Sequence, residues 1–296
     1  MQRLAGYATN SIDEVGGNSE VRIIVIGAGG GGGNTVNRLS RVGIVGAELA
    51  AANTDAQDLK KIAPNIVKVL IGGKITRGLG AGGFPQIGEK AAEESKHELF
   101  EYFQNTHLVF LCAGMGGGTG TGSAPVIAEI AKEAGAIVVA IVTYPFKLER
   151  SRIKKAHEGI RRLTQICDTV IVVDNNKLVE YLPNLPIDKA FLVADEIVAR
   201  AVKGITETLK EPSLVNLDFA DIRAVFGVGG LSVISVGEGS GPDKVEEAVK
   251  NTLAHPLLEI DYKGATGALI HIRGGEDLTL GEINRVGELI TQEFDQ

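Results

Sequence analysis

Apolar and polar residues follow two rhythms along the 296-residue chain. Short, continuous apolar runs rich in β-branched residues occupy 21–26, 49–52, 67–71, 108–112, 137–143 and 169–173. Stretches with helical spacing lie between them, at 34–42, 87–102, 123–134 and 152–165. Runs that are apolar throughout, rather than alternating, suit strands buried on both faces. Separated by helices, they predict a parallel sheet covered on both sides. Residues 187–209 read as one long helix, with Phe191, Ala194, Ile197, Val198, Ala201, Val202 and Ile205 at helical spacing and Pro212 marking its end region. The pattern then changes. Strands are predicted at 231–236 and 268–272, and helices at 242–253 and 280–294. The expected fold class is α/β: a Rossmann-like parallel-sheet domain joined by a long central helix to a smaller α+β domain. The expected divisions are 1–20 as a polar tail, 21–186 as the sheet domain, 187–212 as the helix, and 213–296 as the second domain.

Composition narrows this picture. Hydrophobic residues make up 44% and charged residues 23%, the balance of a globular protein with a sizeable core. The longest apolar run, 136–142, is too short to cross a bilayer, and residues 1–20 show no charged start followed by an apolar stretch. Neither membrane insertion nor secretion is therefore expected. Cys112 and Cys167 sit beside apolar runs, which predicts buried free thiols and a reducing, cytoplasmic setting. A net charge of −7 with no long basic block argues against nucleic acid as a partner. The same negative field would repel a nucleotide, so cations and backbone dipoles must do the attracting. His97, His107, His157, His255 and His271 lack the close pairing of a metal site, and none is expected.

Glycine is the outlier, with 39 residues gathered in clusters. The clusters fall at predicted strand exits, where an open parallel sheet binds ligands. Exits at 27–33, 53–55, 72–83, 114–122, 143–152 and 174–176 carry Gly, Asn, Asp or charge and together form one rim. GAGGGGG at 27–33 follows a strand and opens a helix, so its backbone can approach a phosphate at a helix N-terminus. Alone, it fits a tight turn, a dinucleotide site or another phosphate site equally. GMGGGTGTG at 114–122 is more specific. It too joins a strand to a helix, and it offers a run of free N–H groups plus the hydroxyls of Thr119 and Thr121, a nest suited to a triphosphate without a lysine. No GxxxxGK[ST] occurs.

The GGGTGTG at 116–122 resembles the signature of the tubulin/FtsZ superfamily. Further matches resemble its FtsZ family, the prokaryotic cell-division GTPases: GAGGGGGNTV at 27–36, NTDAQ at 53–57, GLGAGG at 78–83, PF at 145–146 and NLDFAD at 216–221. The resemblance implies GTP and GDP as ligands with Mg²⁺, held in a tubulin/FtsZ-like fold. It implies phosphate contacts from Gly29, Gly30, Gly31, Asn34, Asn53, Ala81, Gly82, Gly116, Gly117, Gly118, Thr119 and Gly120. Pro145, Glu149 and Arg152 resemble sugar and phosphate contacts. Asn175, Phe191 and Asp195 resemble the residues that contact, stack on and accept hydrogen bonds from guanine. Read from the residues alone, a core-facing Phe191 and a solvated Asp195 are the favoured readings, ahead of the guanine contacts. Two positions depart from the pattern: Phe84 stands where Asn or Asp is commoner, and Arg150 where Gly is usual.

Asp218 and Asp221, at i and i+3, fall in the first turn of a helix after Asn216, where acidic residues favour a helix N-terminus. A 23-residue helix at 187–209 spans roughly 35 Å. If its start lies at the rim, these carboxylates lie across the molecule from it and reach only the nucleotide of a neighbour stacked head to tail, a contact that makes filaments. The resemblance implies the same, with Asp218, Asp221 and Asn216 as the catalytic group of an assembly-dependent GTPase at the division site. It also implies membrane-anchor and regulatory division proteins as partners. The tail that binds them in the family lies past the point where this chain stops, so they are not expected on it. Rival readings are a filament scaffold that hydrolyses little, an NAD-dependent oxidoreductase using 27–32, and a shape-determining or plasmid-segregating relative.

Overall fold

In a computed structural model, the described residues are 21–177, 184, 186–210, 219–227, 229–233, 235–253, 265, 267–275 and 277–294. Seven parallel strands form one sheet in the order β3-β2-β1-β4-β5-β6-β7. They are β1 (Ile23–Ala28), β2 (Glu48–Asn53), β3 (Val67–Leu70), β4 (Leu108–Gly114), β5 (Ile137–Tyr144), β6 (Thr169–Asp174) and the two-residue β7 (Leu231–Ser232). β1 is buried along its whole length, and β4 except at its last residue, Gly114, which explains their uninterrupted apolar runs. One face of the sheet is covered by α1 (Gly29–Val42) and α8 (Ile187–Lys210), which contribute Val36, Leu39, Val198 and Val202 to the core. On the other lie α4 (Pro85–Glu94), α5 (Lys96–Phe103), α6 (Thr119–Glu133) and α7 (Arg150–Ile166), with Leu99, Phe103, Ile127 and Leu163. The strand order reverses at β1, which pairs with β2 on one side and β4 on the other. Such a switch point leaves a crevice beyond the carboxyl ends of these strands.

Several expectations shift. The predicted helix at 34–42 begins earlier, at Gly29, and that at 123–134 begins at Thr119. The first glycine motif from Gly29 on, and Thr119–Gly122 of the second, are therefore first helical turns, while residues 115–118 remain a turn between strand and helix. The single helix expected at 87–102 is two, α4 and α5, divided at Ser95, whose hydroxyl accepts from the Gly72 N–H at 3.1 Å. The strand expected at 231–236 for the second domain is only Leu231–Ser232, and it extends the first sheet beside β6. No strand forms among the described residues of 268–272. Past α9 (Phe219–Phe226), helices α10 (Lys244–Leu253) and α11 (Leu280–Phe294) pack together. Among the described residues no helix is long and apolar enough to cross a membrane. Both cysteines are buried free thiols.

Candidate nucleotide-binding site

The carboxyl ends of β1, β2, β4, β5 and β6 open into one cleft of about 520 Å³. Its floor is the meeting point of two helix starts. Gly29 at the head of α1 has φ +71°, and a Cβ there would lie 2.7 Å from the Gly120 nitrogen in the first turn of α6. Only glycine lets the two N-termini converge this closely. Gly30, Gly31 and Asn34 from α1, and Gly117, Gly118, Thr119 and Gly120 from the β4–α6 junction, line the cleft. Two helix N-termini thus aim free N–H groups and positive dipole ends at one point, the arrangement that receives phosphate. Gly29 and Gly116 do not line it. Gly116, with φ +101°, packs instead against the Arg152 backbone. Thr119 bonds Thr54 hydroxyl to hydroxyl at 2.6 Å. The Thr121 hydroxyl, expected as a ligand donor, is buried and accepts from the Gly116 N–H at 2.8 Å, so it shapes the turn rather than the ligand surface.

Asn53, Ala81 and Gly82 form one side wall. The 78–84 segment has positive φ at Gly78, Gly80, Gly82 and Gly83, and the bonds that hold it include Ala56 N–H to Gly78 O, Leu79 N–H to Thr76 O, Gly80 N–H to Thr54 O, Phe84 N–H to Ala81 O, and Lys155 Nζ to Gly83 O at 2.8 Å. Lys155→Met removes the last of these. We expect faster amide exchange confined to 79–84, read by mass spectrometry; unchanged exchange there would show that the lysine contributes no restraint.

Pro145, Glu149 and Arg152 line the opposite wall. Glu149 accepts from the Phe146 N–H at 3.1 Å and pairs with Arg152 at 2.6 Å. Asn175, Phe191 and Asp195 complete it. Asn175 is buried, and its Oδ1 has no hydrogen-bond partner in the protein. An orphaned buried acceptor facing a cleft fits a ligand donor. Phe191 is 43% exposed and meets Phe146 edge-on at 5.3 Å, so it is not the core residue its spacing allowed. Asp195 is not a solvated carboxylate either. Burial pushes its pKa up to about 6, against a hydrogen bond from Thr35 and the field of Arg38.

Sequence reasoning missed several lining residues, among them Asp55, Asp58, Leu79 and Thr143, and also Thr35 beneath Asp195. Asp55 stands within the NTDAQ motif; nothing local marks Thr35. Asn216 and Asp218 lie outside the described residues. Asp221 sits in the first turn of α9. That helix is anchored at the other edge of the sheet: Phe219 packs edge-on against His107, next to the first residue of β4, and the Thr169 hydroxyl at the start of β6 donates to the Phe226 carbonyl.

Fold and cleft together define a nucleotide-binding α/β protein that presents two helix N-termini where a lysine-bearing phosphate loop would otherwise sit. The chain belongs to the Tubulin/FtsZ family. Residues 22–183 match the model "Tubulin/FtsZ family, GTPase domain", and residues 230–296 match "FtsZ family, C-terminal domain". "Cell division protein FtsZ 2" of Methanocaldococcus jannaschii is 60% identical over 286 residues, 96% of this chain and 74% of that one. "Cell division protein FtsZ 1" of Pyrococcus furiosus is 52% identical over 277 residues, covering 93% and 74%. The solved structure "FtsZ dimer, empty (M. jannaschii)" superposes with a TM-score of 0.89 at 48% identity over 97% of this chain and 84% of that one. The protein is thus a GTPase that binds GTP and GDP, and the oxidoreductase reading falls.

Proposed function

We propose that the chain is a polymerising GTPase of cell division, whose active site is completed only when a second copy stacks head to tail on the first. The relatives' names, cell division proteins, support the cellular role, and the solved dimer of one relative supports self-association. One observation carries the reading. The cleft lies beyond the carboxyl ends of the strands, whereas Asp221 sits on a helix anchored at their amino ends. Seven residues of β4 separate the two edges by roughly 23 Å at 3.3 Å per residue, so Asp221 serves another chain's nucleotide. Exposed apolar side chains flank the cleft too: Leu79 lines it at 82% exposed, and Phe84 and Leu148, 59% and 73% exposed, adjoin the lining residues Gly83 and Glu149 in sequence, a surface suited to a subunit cap. The proposed division remains 21–186 for GTP binding, 187–212 for the helix and 213–296 for activation.

The residues divide the chemistry. N–H groups at the two helix starts hold the phosphates. Asn175 and Asp195 accept from the guanine edge and Phe191 covers its face, while Glu149 and Arg152 flank the sugar. Asp55, Asp58, Glu149 and Asp195 line the cleft against a single Arg152, so a triphosphate needs a cation to enter. Among the described residues no three His, Cys, Asp or Glu cluster to hold one. Mg²⁺ would therefore be bound chiefly by phosphate oxygens and water, and would supply charge neutralisation. Asp218 and Asp221 of the neighbour then orient and polarise the attacking water. Phosphoryl transfer depends on such positioning and charge compensation, so added carboxylates can switch it on. Specific GTPase activity is expected to rise with protein concentration and level off as polymer forms. Phosphate release that is strictly proportional to concentration across the assembly range would overturn the shared site. The cytoplasm at the division site is the proposed location.

A further inference from the structure

We propose that Thr35 is a positioning residue for guanine recognition, holding the Asp195 carboxylate charged and aimed at the base. The inference rests on the guanine-site reading above. Thr35 lies on the buried side of α1 and is 4% exposed. Its hydroxyl donates to Asp195 Oδ1 at 2.7 Å across 160 positions of sequence. The Gly31 carbonyl, at 3.3 Å, is the competing acceptor for the same proton. A hydroxyl has one proton, and the shorter, charge-assisted bond to a carboxylate takes it. Asp195 is at once buried from below and open to the cleft.

The charged groups around Asp195 leave Thr35 a large share of the work. From α1, Arg38 contributes a favourable field, but its guanidinium Nε donates to Glu196 at 2.6 Å and is largely engaged there. From β4, the Cys112 thiol is pushed up to about 12 and stays neutral. Burial therefore drives Asp195 toward the neutral acid, and the Thr35 hydroxyl is the nearest group opposing it. A neutral carboxyl presents an O–H where guanine presents N–H groups, and recognition fails.

The sign follows. An aspartate whose pKa is raised to about 6 from 3.8 makes the free fold more stable as pH falls through that window. GTP binding draws on the anion, so affinity runs the other way and weakens below about 6. Replacing Thr35 by valine keeps the shape but removes the donor. A hydrogen bond to a charged group contributes about 1.5–3 kcal/mol, so the variant should bind GTP roughly 10- to 100-fold more weakly below about pH 6 and about 2- to 15-fold more weakly near neutral pH.

The experiment is GTP affinity by calorimetry for wild type, Thr35→Val and Thr35→Ser between about pH 5.5 and about pH 8.5, with circular dichroism to confirm folding. The deficit of Thr35→Val is expected to shrink as pH rises, because alkali restores the anion, and Thr35→Ser should track wild type. Taking the ratio to wild type cancels the titration of the nucleotide itself. A deficit that is the same at every pH, or a serine variant as weak as valine, overturns the proposal while leaving the guanine site intact. Wild type with no measurable GTP affinity would instead overturn the reading of the cleft. If Thr35→Val does not fold, Thr35→Ser and the wild-type profile decide: loss of affinity centred far from pH 6 in both would show that Asp195 ionisation is not what the base reads.

Discussion

Asp221→Ala is expected to bind GTP as tightly as the parent protein and to lose nearly all turnover. Asp221 is exposed, while its neighbours Ile222 and Phe226 are buried and hold α9 in place. Removing the carboxylate leaves those buried contacts in place, and the helix-terminus contribution it gives up is about 0.3–1 kcal/mol. Because the residue lies at the amino edge of the sheet, its loss does not touch the cleft of its own chain. A group that orients and polarises the attacking water contributes on the order of 10²–10⁴-fold, and turnover should fall by that much. Mixing supplies a sharper test. If the carboxylate acts on the neighbour's nucleotide, Asp221→Ala, whose own cleft is intact, should regain activity in copolymers with Gly29→Ala, whose cleft is impaired but whose Asp221 is intact. Copolymers of the two that stay inactive would place the residue's action within its own chain. Normal turnover in the pure variant would remove it from the mechanism.

Gly29→Ala should have the opposite signature, with GTP binding lost before any question of turnover arises. At φ +71° an alanine is strained by about 1–2 kcal/mol. Its Cβ would also meet the Gly120 nitrogen at 2.7 Å and the Thr119 Cβ at 3.3 Å. Both atoms belong to the first turn of α6, so relief requires the two helix starts to part, at a further cost of about 1–3 kcal/mol. A phosphate gripped from both sides feels that separation directly, and GTP affinity should fall by about 10²-fold. Gly43→Ala is the control. It sits at φ +77° at the end of α1, with nothing within 4 Å of the added carbon, so it carries the backbone strain without the collision. It should lower the melting temperature and leave affinity unchanged. Equal affinity in the two variants would mean that the convergence of α1 and α6 is not the phosphate site.

Much of this molecule is legible in one dimension. Strands buried on both faces must be apolar at every position, so β1, β4 and β5 stand out without any knowledge of their neighbours. Glycine at a strand exit is equally visible, because a turn that presents bare backbone to a ligand tolerates little else. Those two signals place the sheet, its carboxyl edge and the glycine segments that line the cleft within a few residues. Periodicity is blunter at ends and breaks. It does not show that the helices start at Gly29 and Thr119, or that Ser95 interrupts 87–102, because each depends on hydrogen bonds to a distant segment.

The roles of individual residues within the site belong to the tertiary structure. In the sequence, Gly29 and Gly30 are adjacent letters of one motif; in space the first makes room for α6 and the second lines the cleft. Thr119 and Thr121 look alike, yet only Thr119 lines the cleft. Asp195 reads as a surface carboxylate until burial and the Thr35 hydroxyl, 160 positions away, define its charge. Asp221 reads as a helix-start acid until packing against His107 sets it on the edge opposite the cleft. The sequence by itself determined the sheet and the glycine frame, because strand burial and backbone geometry act on each residue where it stands. Only the folded chain decided which of those residues line the cleft, which are buried beneath it, and which lie at the opposite edge of the sheet, because desolvation and contact depend on neighbours that the linear order keeps apart.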